Sequence, residues 1–192
     1  EKPMKRVVII GSGNLAEALA RAVAKSGLEL VQIFARNAER ARIIAELTAT
    51  DWATHPGMLA QDADIYLIAV SDKAVEHVAA TLPIPEGAAV AHTAGSVPLA
   101  AIPEKFARRA VFYPMQTFTK GREVDFSVIP VFLETPSAEL HPELEAFARQ
   151  LSGTVIWATS EQRARVHLAA VFACNFANHM YAVGERIVRD AG

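Results

Sequence analysis

The sequence predicts an α/β protein whose mainly parallel sheet is doubly wound, with helices on both faces. Three observations predict this class. Short apolar runs alternate along the chain with segments whose apolar residues recur at helical spacing. The runs include continuous apolar stretches, which are typical of strands covered on both sides. A Gly-x-Gly-x-x-Ala turn at residues 11–16 follows the first run and opens the first helical segment.

The first half of the chain is predicted to hold four strands and three helices. Residues 6–10 are a short apolar run of strand type, and residues 14–26 carry apolar residues at helical spacing up to Gly27. Asp72 is placed to begin the third helix. The elements expected between and after these are a strand at 30–35, a helix at 38–47, a strand at 65–70, a helix at 73–82 and a strand at 88–92.

The second half continues the alternation less regularly. After a short helix near Leu99, we expect strands at 110–113, 128–133 and 154–158 and a helix at 138–151. Pro130 has no N–H group to donate to a neighbouring strand, so its strand is predicted to be an edge strand or to contain a bulge.

The pattern changes at Thr159. The sequence Thr-Ser-Glu-Gln at 159–162 resembles a capping box, and the helix that it starts is predicted to run to about Val188. We therefore predict two domains, an α/β domain at 1–158 and the start of a helical domain at 159–192. The centre of this helix is apolar nearly all round, so other helices or a partner subunit should cover it, which favours a homodimer through this region.

Composition narrows the classes of function. At 192 residues the chain suits one large or two small domains with a sizeable core. A net charge of −2 gives no electrostatic reason to expect nucleic acid or an anionic membrane as partner. Cys174 is the single cysteine, which excludes a disulfide framework and fits a reducing cytoplasm. The chain begins with Glu1 and ends soon after a helix, so we expect part of the native protein to be missing.

The turn at residues 11–16 is the strongest functional signal. Gly11 allows a tight strand-to-helix turn, Gly13 lets the backbone approach a pyrophosphate, and Ala16 keeps the helix close to the sheet. Ser12, Asn14 and Leu15 complete the predicted cofactor loop. A structural turn without a ligand is the alternative interpretation. No Gly-Lys-Ser/Thr follows, which argues against a nucleoside triphosphatase loop.

The end of the second strand indicates which dinucleotide is bound. Arg36 and Asn37 stand there, and no acidic residue precedes Glu39. A carboxylate at this point would bind the ribose hydroxyls of NAD, whereas an arginine accommodates the 2′-phosphate of NADP. The sequence therefore predicts NADP, with a solvated loop arginine as the alternative.

Two further strand ends are expected to contact the cofactor, because doubly wound sheets bind ligands at the carboxyl ends of their strands. Val70 and Ser71 should pack against the nucleotide, and Thr93 and Ala94 should approach the nicotinamide. His92 either approaches the nicotinamide as well or caps its own strand.

Several stretches resemble known families. VVIIGSGNLAEALARAV and YLIAVSDKAVEHVA are similar to pyrroline-5-carboxylate reductase, in which Gly-x-Gly-Asn binds NADP and a turn like Arg36-Asn37 selects it. HTAGSVPLAAI, VFYPMQTFTKGREVDFSVIPVFLE and SEQRARVHLAAVFACNFANHMYAVGERI resemble a group of bacterial Rossmann-like oxidoreductases. The resemblance implies a Rossmann domain, NADP-dependent oxidoreduction and a helical dimerisation domain.

The sequence departs from these relatives at the expected catalytic helix. Pyrroline-5-carboxylate reductases have Ser-Gly-Ser-Gly-Pro-Ala where this chain has Ser-Glu-Gln-Arg-Ala-Arg, so the resemblance does not imply proline synthesis. The related β-hydroxyacid dehydrogenases place a lysine four residues before an asparagine. Asn175 matches that asparagine, and Val171 stands where the lysine would be.

Polar residues on the last helix are the catalytic candidates. His167, Val171, Asn175 and Asn178 recur at intervals that place them in one stripe, with His179 one turn beyond Asn175. Reduction of a carbonyl or imine requires a proton donor, and an imidazole is suited to that role. The alternative is that these groups hydrogen-bond one another or a partner subunit. Their spacing, without a carboxylate, does not predict a metal site.

The predicted function is NADP-dependent hydride transfer to or from a small substrate, which we expect to be a carbonyl, imine or hydroxy-acid type of compound. Catalysis is assigned to His167, Asn175 and His179. The alternative is a non-catalytic module that binds or senses NADP, which the missing lysine favours.

Overall fold

The computed structural model describes residues 3–190, which form one eight-stranded sheet with helices on both faces. The strands are β1 (Arg6–Ile10), β2 (Glu29–Phe34), β3 (Asp51–Ala53), β4 (Ile65–Ile68), β5 (Ala89–His92), β6 (Arg109–Pro114), β7 (Val131–Glu134) and β8 (Val155–Trp157). The α-helices are α1 (Asn14–Lys25), α2 (Ala38–Thr48), α3 (Val75–Thr81), α4 (Leu140–Arg149), α5 (Ser160–Ala170) and α6 (Ala177–Asp190).

The sheet has the strand order β3-β2-β1-β4-β5-β6-β7-β8. Strands β1 to β6 run parallel, β7 is antiparallel to β6, and β8 is parallel to β7. The direction of winding reverses between β1 and β4, and ligands of doubly wound sheets bind in the crevice at such a point. The predicted fold class, a doubly wound and mainly parallel α/β sheet, is confirmed.

Alternating side chains of the central strands supply the cores on the two faces of the sheet. On one face, Val7 and Ile9 of β1 pack with side chains of α1, α2 and α4. On the other face, Val8 and Ile10 pack with side chains of α3 and of the loops before and after it. Because both faces of β1 are buried, the strand is a continuous apolar run, as the sequence suggested.

The sheet differs from the prediction in three features. The short strand β3 was missed, because its three residues carry too weak a pattern. The strand predicted at 128–133 begins only at Val131, because Phe126–Val128 form a 3₁₀ turn and Pro130 has no N–H group to donate to a neighbouring strand. The carbonyl of Pro130 does accept a hydrogen bond from the N–H of Met115. The prediction of an edge strand or a bulged strand was wrong, because β7 lies between β6 and β8 and pairs with both without a shift of register.

The capping box at the start of the last helix is confirmed. The Thr159 hydroxyl accepts a hydrogen bond from the Gln162 N–H at 3.2 Å, and the Gln162 side chain accepts one from the Thr159 N–H at 2.9 Å. The helix then runs from Ser160 to Asp190, but a π-helical segment at Val171–Phe176 separates α5 from α6. The wider π turn changes the angular spacing on which the predicted polar stripe depended.

A buried ionic cluster fixes the start of α5 to the sheet. Arg163 is 1% exposed, pairs with the carboxylate of Glu134 and donates to the Val97 carbonyl at 2.6 Å. The Ser160 hydroxyl also donates to Glu134, at 2.8 Å. Beyond this anchor the helix projects from the sheet with large apolar side chains exposed. These include Leu168, Phe172, Phe176, Met180, Tyr181, Ile187 and Val188.

No helix within residues 3–190 is long and apolar enough to cross a membrane.

Candidate functional site

A cavity of about 690 Å³ opens where the sheet changes its direction of winding, between β1 and β4. Its walls come from the loops that follow β1, β2 and β4 and from one side of α3. The lining residues predicted from sequence are Gly11, Ser12, Gly13, Asn14, Leu15, Arg36, Asn37, Val70 and Ser71. The cavity therefore brings together nine of the twelve residues predicted to hold the cofactor.

The two glycines of the loop have different structural roles. Gly11 has a φ of +133°, and a Cβ there would lie 2.0 Å from the carbonyl oxygen of Ala69, so only glycine fits between β1 and β4. Apart from Gly13 itself and its two chain neighbours, no atom of residues 3–190 lies within 4 Å of the Cβ position of Gly13. The backbone at Gly13 is therefore open to a close-lying ligand. Ala16 is fully buried and lets α1 lie against the sheet.

The amino end of α1 is a suitable place for a phosphate group. Gly13 is the N-cap residue and has no side chain to satisfy the first N–H groups of this 12-residue helix. Free N–H groups and the helix dipole attract anions at such an end. The Asn14 side chain donates a hydrogen bond to the Phe118 carbonyl at 3.1 Å. Asn14 therefore also connects the loop after β6 to the glycine turn.

The loop after β2 presents one cation to the cavity. Arg36 is exposed and lines the cavity wall. Asn37 lines it too, but its side chain accepts a hydrogen bond from the Arg40 N–H at 3.0 Å and so caps α2. The guanidinium of Arg36 is therefore the group that matches the predicted interaction with a 2′-phosphate.

Sequence reasoning missed an ionic cluster around the buried Glu17, behind the glycine turn. The Glu17 carboxylate is 2.9 Å from Arg40 and 3.1 Å from Arg21, and the Nε–H of Arg40 donates to the Ser12 carbonyl at 3.2 Å. Burial acts to raise the pKa of Glu17, but the hydrogen bonds from Arg40 and Arg21 outweigh it and hold that pKa below its usual value. The spacing of Glu17 and Arg21 at i,i+4 was the available signal.

His92 caps its own strand end rather than facing the cavity. It is fully buried, its Nδ1 accepts a hydrogen bond from the Ala94 N–H at 3.2 Å, and its Nε2 lies 3.2 Å from the Pro98 carbonyl. Burial, aided by the charge of Arg163, lowers the pKa of His92 to about 4. The imidazole is therefore neutral near pH 7 and holds the loop after β5 in shape.

Thr93 and Ala94 begin that loop but lie outside the cavity wall. Both are buried, and the Thr93 hydroxyl donates to the Ile68 carbonyl at 3.2 Å. In the same loop, Gly95 lies against the rings of His167 and Tyr113. A Cβ there would lie 2.6 Å from Nδ1 of His167 and 2.6 Å from Cζ of Tyr113.

His167 and Tyr113 form a hydrogen-bonded pair beside the loop that follows β5. The Tyr113 hydroxyl lies 2.9 Å from His167 Nδ1, and the two rings meet edge to face with centroids 5.8 Å apart. The loops that follow β4 and β5 are also connected, because the Ser96 hydroxyl donates a hydrogen bond to Asp72 at 2.5 Å. Tyr113 was not predicted as a site residue, since its pairing with His167 spans 54 positions.

Asn175 and His179 lie apart from this pair. Asn175 lies within the π-helical segment and His179 lies in α6 just beyond it. Both are exposed, and neither side chain hydrogen-bonds to another part of the chain that the structure describes. Within residues 3–190 there is no group of three or more His, Cys, Asp or Glu side chains that could hold a metal ion.

The open turn at Gly13, the uncapped helix end and the guanidinium of Arg36 suit the phosphates of a dinucleotide. Together with the sheet topology, they define a Rossmann-type dinucleotide-binding protein.

Comparison with known proteins identifies the family. A protein from Bacteroides fragilis, provisionally described as an NADP oxidoreductase, is 40% identical in sequence and has a TM-score of 0.90. The match covers 97% of this chain and 73% of the Bacteroides protein. A protein from Thermotoga maritima is 25% identical, with 97% of this chain and 71% of the other covered and a TM-score of 0.78. The chain belongs to the family of the Bacteroides protein, the Rossmann-like NADP oxidoreductases, and its cofactor is NADP.

Other matches agree with this family. Residues 6–94 match the family described as NADP oxidoreductase, coenzyme F420-dependent, and residues 129–192 match a domain of unknown function. A pyrroline-5-carboxylate reductase from Coxiella burnetii shares the fold, with 16% identity, a TM-score of 0.64, and 97% of this chain and 71% of the other covered. None of the curated proteins gives a significant match. The resemblance inferred from the sequence is confirmed.

Proposed function

We propose that the chain catalyses hydride transfer between NADP(H) and a small substrate of the carbonyl, imine or hydroxy-acid type. One observation carries the proposal. The imidazole of His167 packs against Gly95 at the carboxyl end of β5, on the same edge of the sheet as the cavity. Active sites of doubly wound proteins form at this edge, and an imidazole there suits proton transfer.

The residues around the cavity have separate tasks in this proposal. The turn at residues 11–16 and the amino end of α1 bind the pyrophosphate, and Arg36 pairs with the 2′-phosphate. Val70 and Ser71 form the wall against which the nucleotide packs. Thr93 and Ala94 are buried and fix the start of the loop that carries Gly95. The nicotinamide, when bound, supplies or accepts the hydride.

His167 supplies the proton that balances the reduction. When hydride adds to the carbon of a C=O or C=N group, the electron pair of the π bond moves to the oxygen or nitrogen, which takes a proton from the imidazole. Solvent then reprotonates the imidazole. In the reverse direction the same ring nitrogen, when it carries no proton, accepts the proton from the hydroxyl or amine.

We extend the proposal to the helix beyond His167. Asn175 and His179 are proposed to contact substrate from a helical domain that starts at residue 159, and residues 1–158 to form the nucleotide domain. The exposed apolar side chains of this helix support a homodimer through the same region. Light scattering should give the mass of two chains, and a monomer at all concentrations would contradict the dimer.

The experiment is NADPH oxidation against a panel of oxo acids, aldehydes and imines, followed with the wild type and four alanine variants. His167→Ala should lower turnover by about 100-fold or more, the usual contribution of a general acid, while NADPH affinity stays unchanged. Asn175→Ala and His179→Ala should lower turnover as well.

His141→Ala is the matched control, because His141 is an exposed histidine that stacks on Trp157 away from the cavity. It should leave turnover unchanged. Full activity of the His167 variant would contradict the proposal. Tight NADPH binding without turnover on any substrate would instead support a module that binds or senses NADP.

A further inference from the structure

The hydroxyl of Tyr113 occupies one side of the His167 imidazole. Its oxygen lies 2.9 Å from Nδ1, and Gly95 packs against the same side of the ring. The other ring nitrogen, Nε2, makes no hydrogen bond within residues 3–190. The two nitrogens of His167 are therefore in unlike surroundings, which is the condition under which a protein selects one tautomer.

The direction of this hydrogen bond follows from the surroundings of Tyr113. The phenol is 8% exposed, and its ring packs on Phe132 with centroids 6.1 Å apart. Burial, with a contribution from the charge of Asp72, raises the pKa of Tyr113, so the phenol keeps its proton near pH 7. Nδ1 of His167 is the acceptor that the described structure offers to that proton.

The opposite direction would leave a polar group unsatisfied. If Nδ1 carried the proton and donated it to the phenol oxygen, the Tyr113 O–H would have no acceptor among the described residues. A largely buried donor without a partner is energetically unfavourable. The bond is therefore expected to run from the phenol to Nδ1, which leaves the imidazole proton on Nε2.

We propose that Tyr113 is a positioning residue that holds neutral His167 as the Nε2–H tautomer. The inference rests on the proposed role of His167 as proton donor, because it states which nitrogen donates. Tyr113 itself acts through His167 and gives up no proton to substrate. Gly95 completes the arrangement, since a side chain there would overlap both rings.

The test is the tautomer itself, read from the ¹⁵N shifts and ring couplings of histidine-labelled protein. At a pH where the imidazole is neutral, the wild type should show His167 mainly as the Nε2–H form. Tyr113→Phe keeps the ring that packs on Phe132 but removes the hydroxyl, so it should shift His167 to a mixture of tautomers. Tyr181→Phe is the control, because Tyr181 is 80% exposed on α6. It should leave the His167 signals unchanged.

Kinetics supply a second readout. Tyr113→Phe should lower kcat by about 10- to 100-fold, the loss typical when a metal-bound histidine loses the partner that orients it, with little change in KM. An unaltered backbone amide spectrum shows that the variant is folded. The inference is overturned if wild-type His167 is the Nδ1–H tautomer, or if Tyr113→Phe leaves its tautomer unchanged.

The two proposals fail in different ways. If His167→Ala keeps full turnover while Tyr113→Phe changes the tautomer, then Tyr113 positions a histidine that is not the proton donor. If His167→Ala loses turnover while the tautomer is insensitive to Tyr113→Phe, the proposed function stands and the positioning role is wrong.

Discussion

The buried histidine at the end of β5 should make the stability of the protein depend on pH. His92 is fully buried, and its pKa is lowered from 6.5 to about 4 in the folded chain. Below about pH 6.5 the unfolded chain binds a proton that the folded chain does not, so the free energy of unfolding falls as the pH falls. The loss is complete near pH 4, where the folded chain is protonated too. A difference of about 2.5 pKa units corresponds to about 3 kcal/mol.

Urea unfolding, followed by tryptophan fluorescence at several values between about pH 7 and pH 4, measures this contribution. His92→Gln removes the titrating group, so the free energy of unfolding should fall with pH about 3 kcal/mol less in the variant than in the wild type. His77→Gln removes an exposed histidine and should retain the pH dependence of the wild type. The reasoning is refuted if His92→Gln and the wild type lose the same free energy over this range.

Three further predictions concern the cofactor loop and the anchor of the last helix. Gly11→Ala should destabilise the fold by about 2 kcal/mol or more, because the new Cβ would be strained and would overlap the Ala69 carbonyl. Gly13→Ala should cost under about 1 kcal/mol of stability but weaken the binding of NADPH in calorimetric titrations. Equal effects of the two variants on stability would contradict the assigned roles. Arg36→Asp should lower the preference for NADPH over NADH by about 10- to 100-fold, and an unchanged ratio of dissociation constants would show that Arg36 does not contact the 2′-phosphate. Arg163→Met should lower the free energy of unfolding, measured with urea, by about 3–5 kcal/mol, because it leaves Glu134 without its buried partner. Arg165→Met, in an exposed i,i+4 pair, should lower it by about 0.5 kcal/mol. Similar losses in the two variants would mean that the buried pair does not anchor the helix.

The order of elements was predictable because its signals are local. The apolar run at residues 6–10, the glycine turn and the capping box at Thr159 and Gln162 each specify a backbone conformation within a few residues. The cavity-lining residues followed from the same signals, since the ends of parallel strands meet at one edge of the sheet. Residues such as Arg36 and Ser71 were therefore identified without any contact information.

What the sequence left unpredicted depends on distant contacts. β7 lies inside the sheet because it pairs with β6 on one side and β8 on the other, which Pro130 alone does not reveal. The π-helical segment interrupts a stripe that was spaced on regular helical geometry. The pairing of Tyr113 with His167 joins β6 to α5, so neither residue alone indicated the other.

The most direct test of the central claim, that His167 stands at the nicotinamide end of the NADP site, is a pair of NMR titrations. NADP⁺ and 2′-phospho-ADP-ribose share the phosphates and adenosine, but the second lacks the nicotinamide. Both should shift the amide signals of Gly13 and Arg36, while the imidazole signals of His167 should shift with NADP⁺ alone. The account is contradicted if His167 is unaffected by NADP⁺ or responds equally to both ligands.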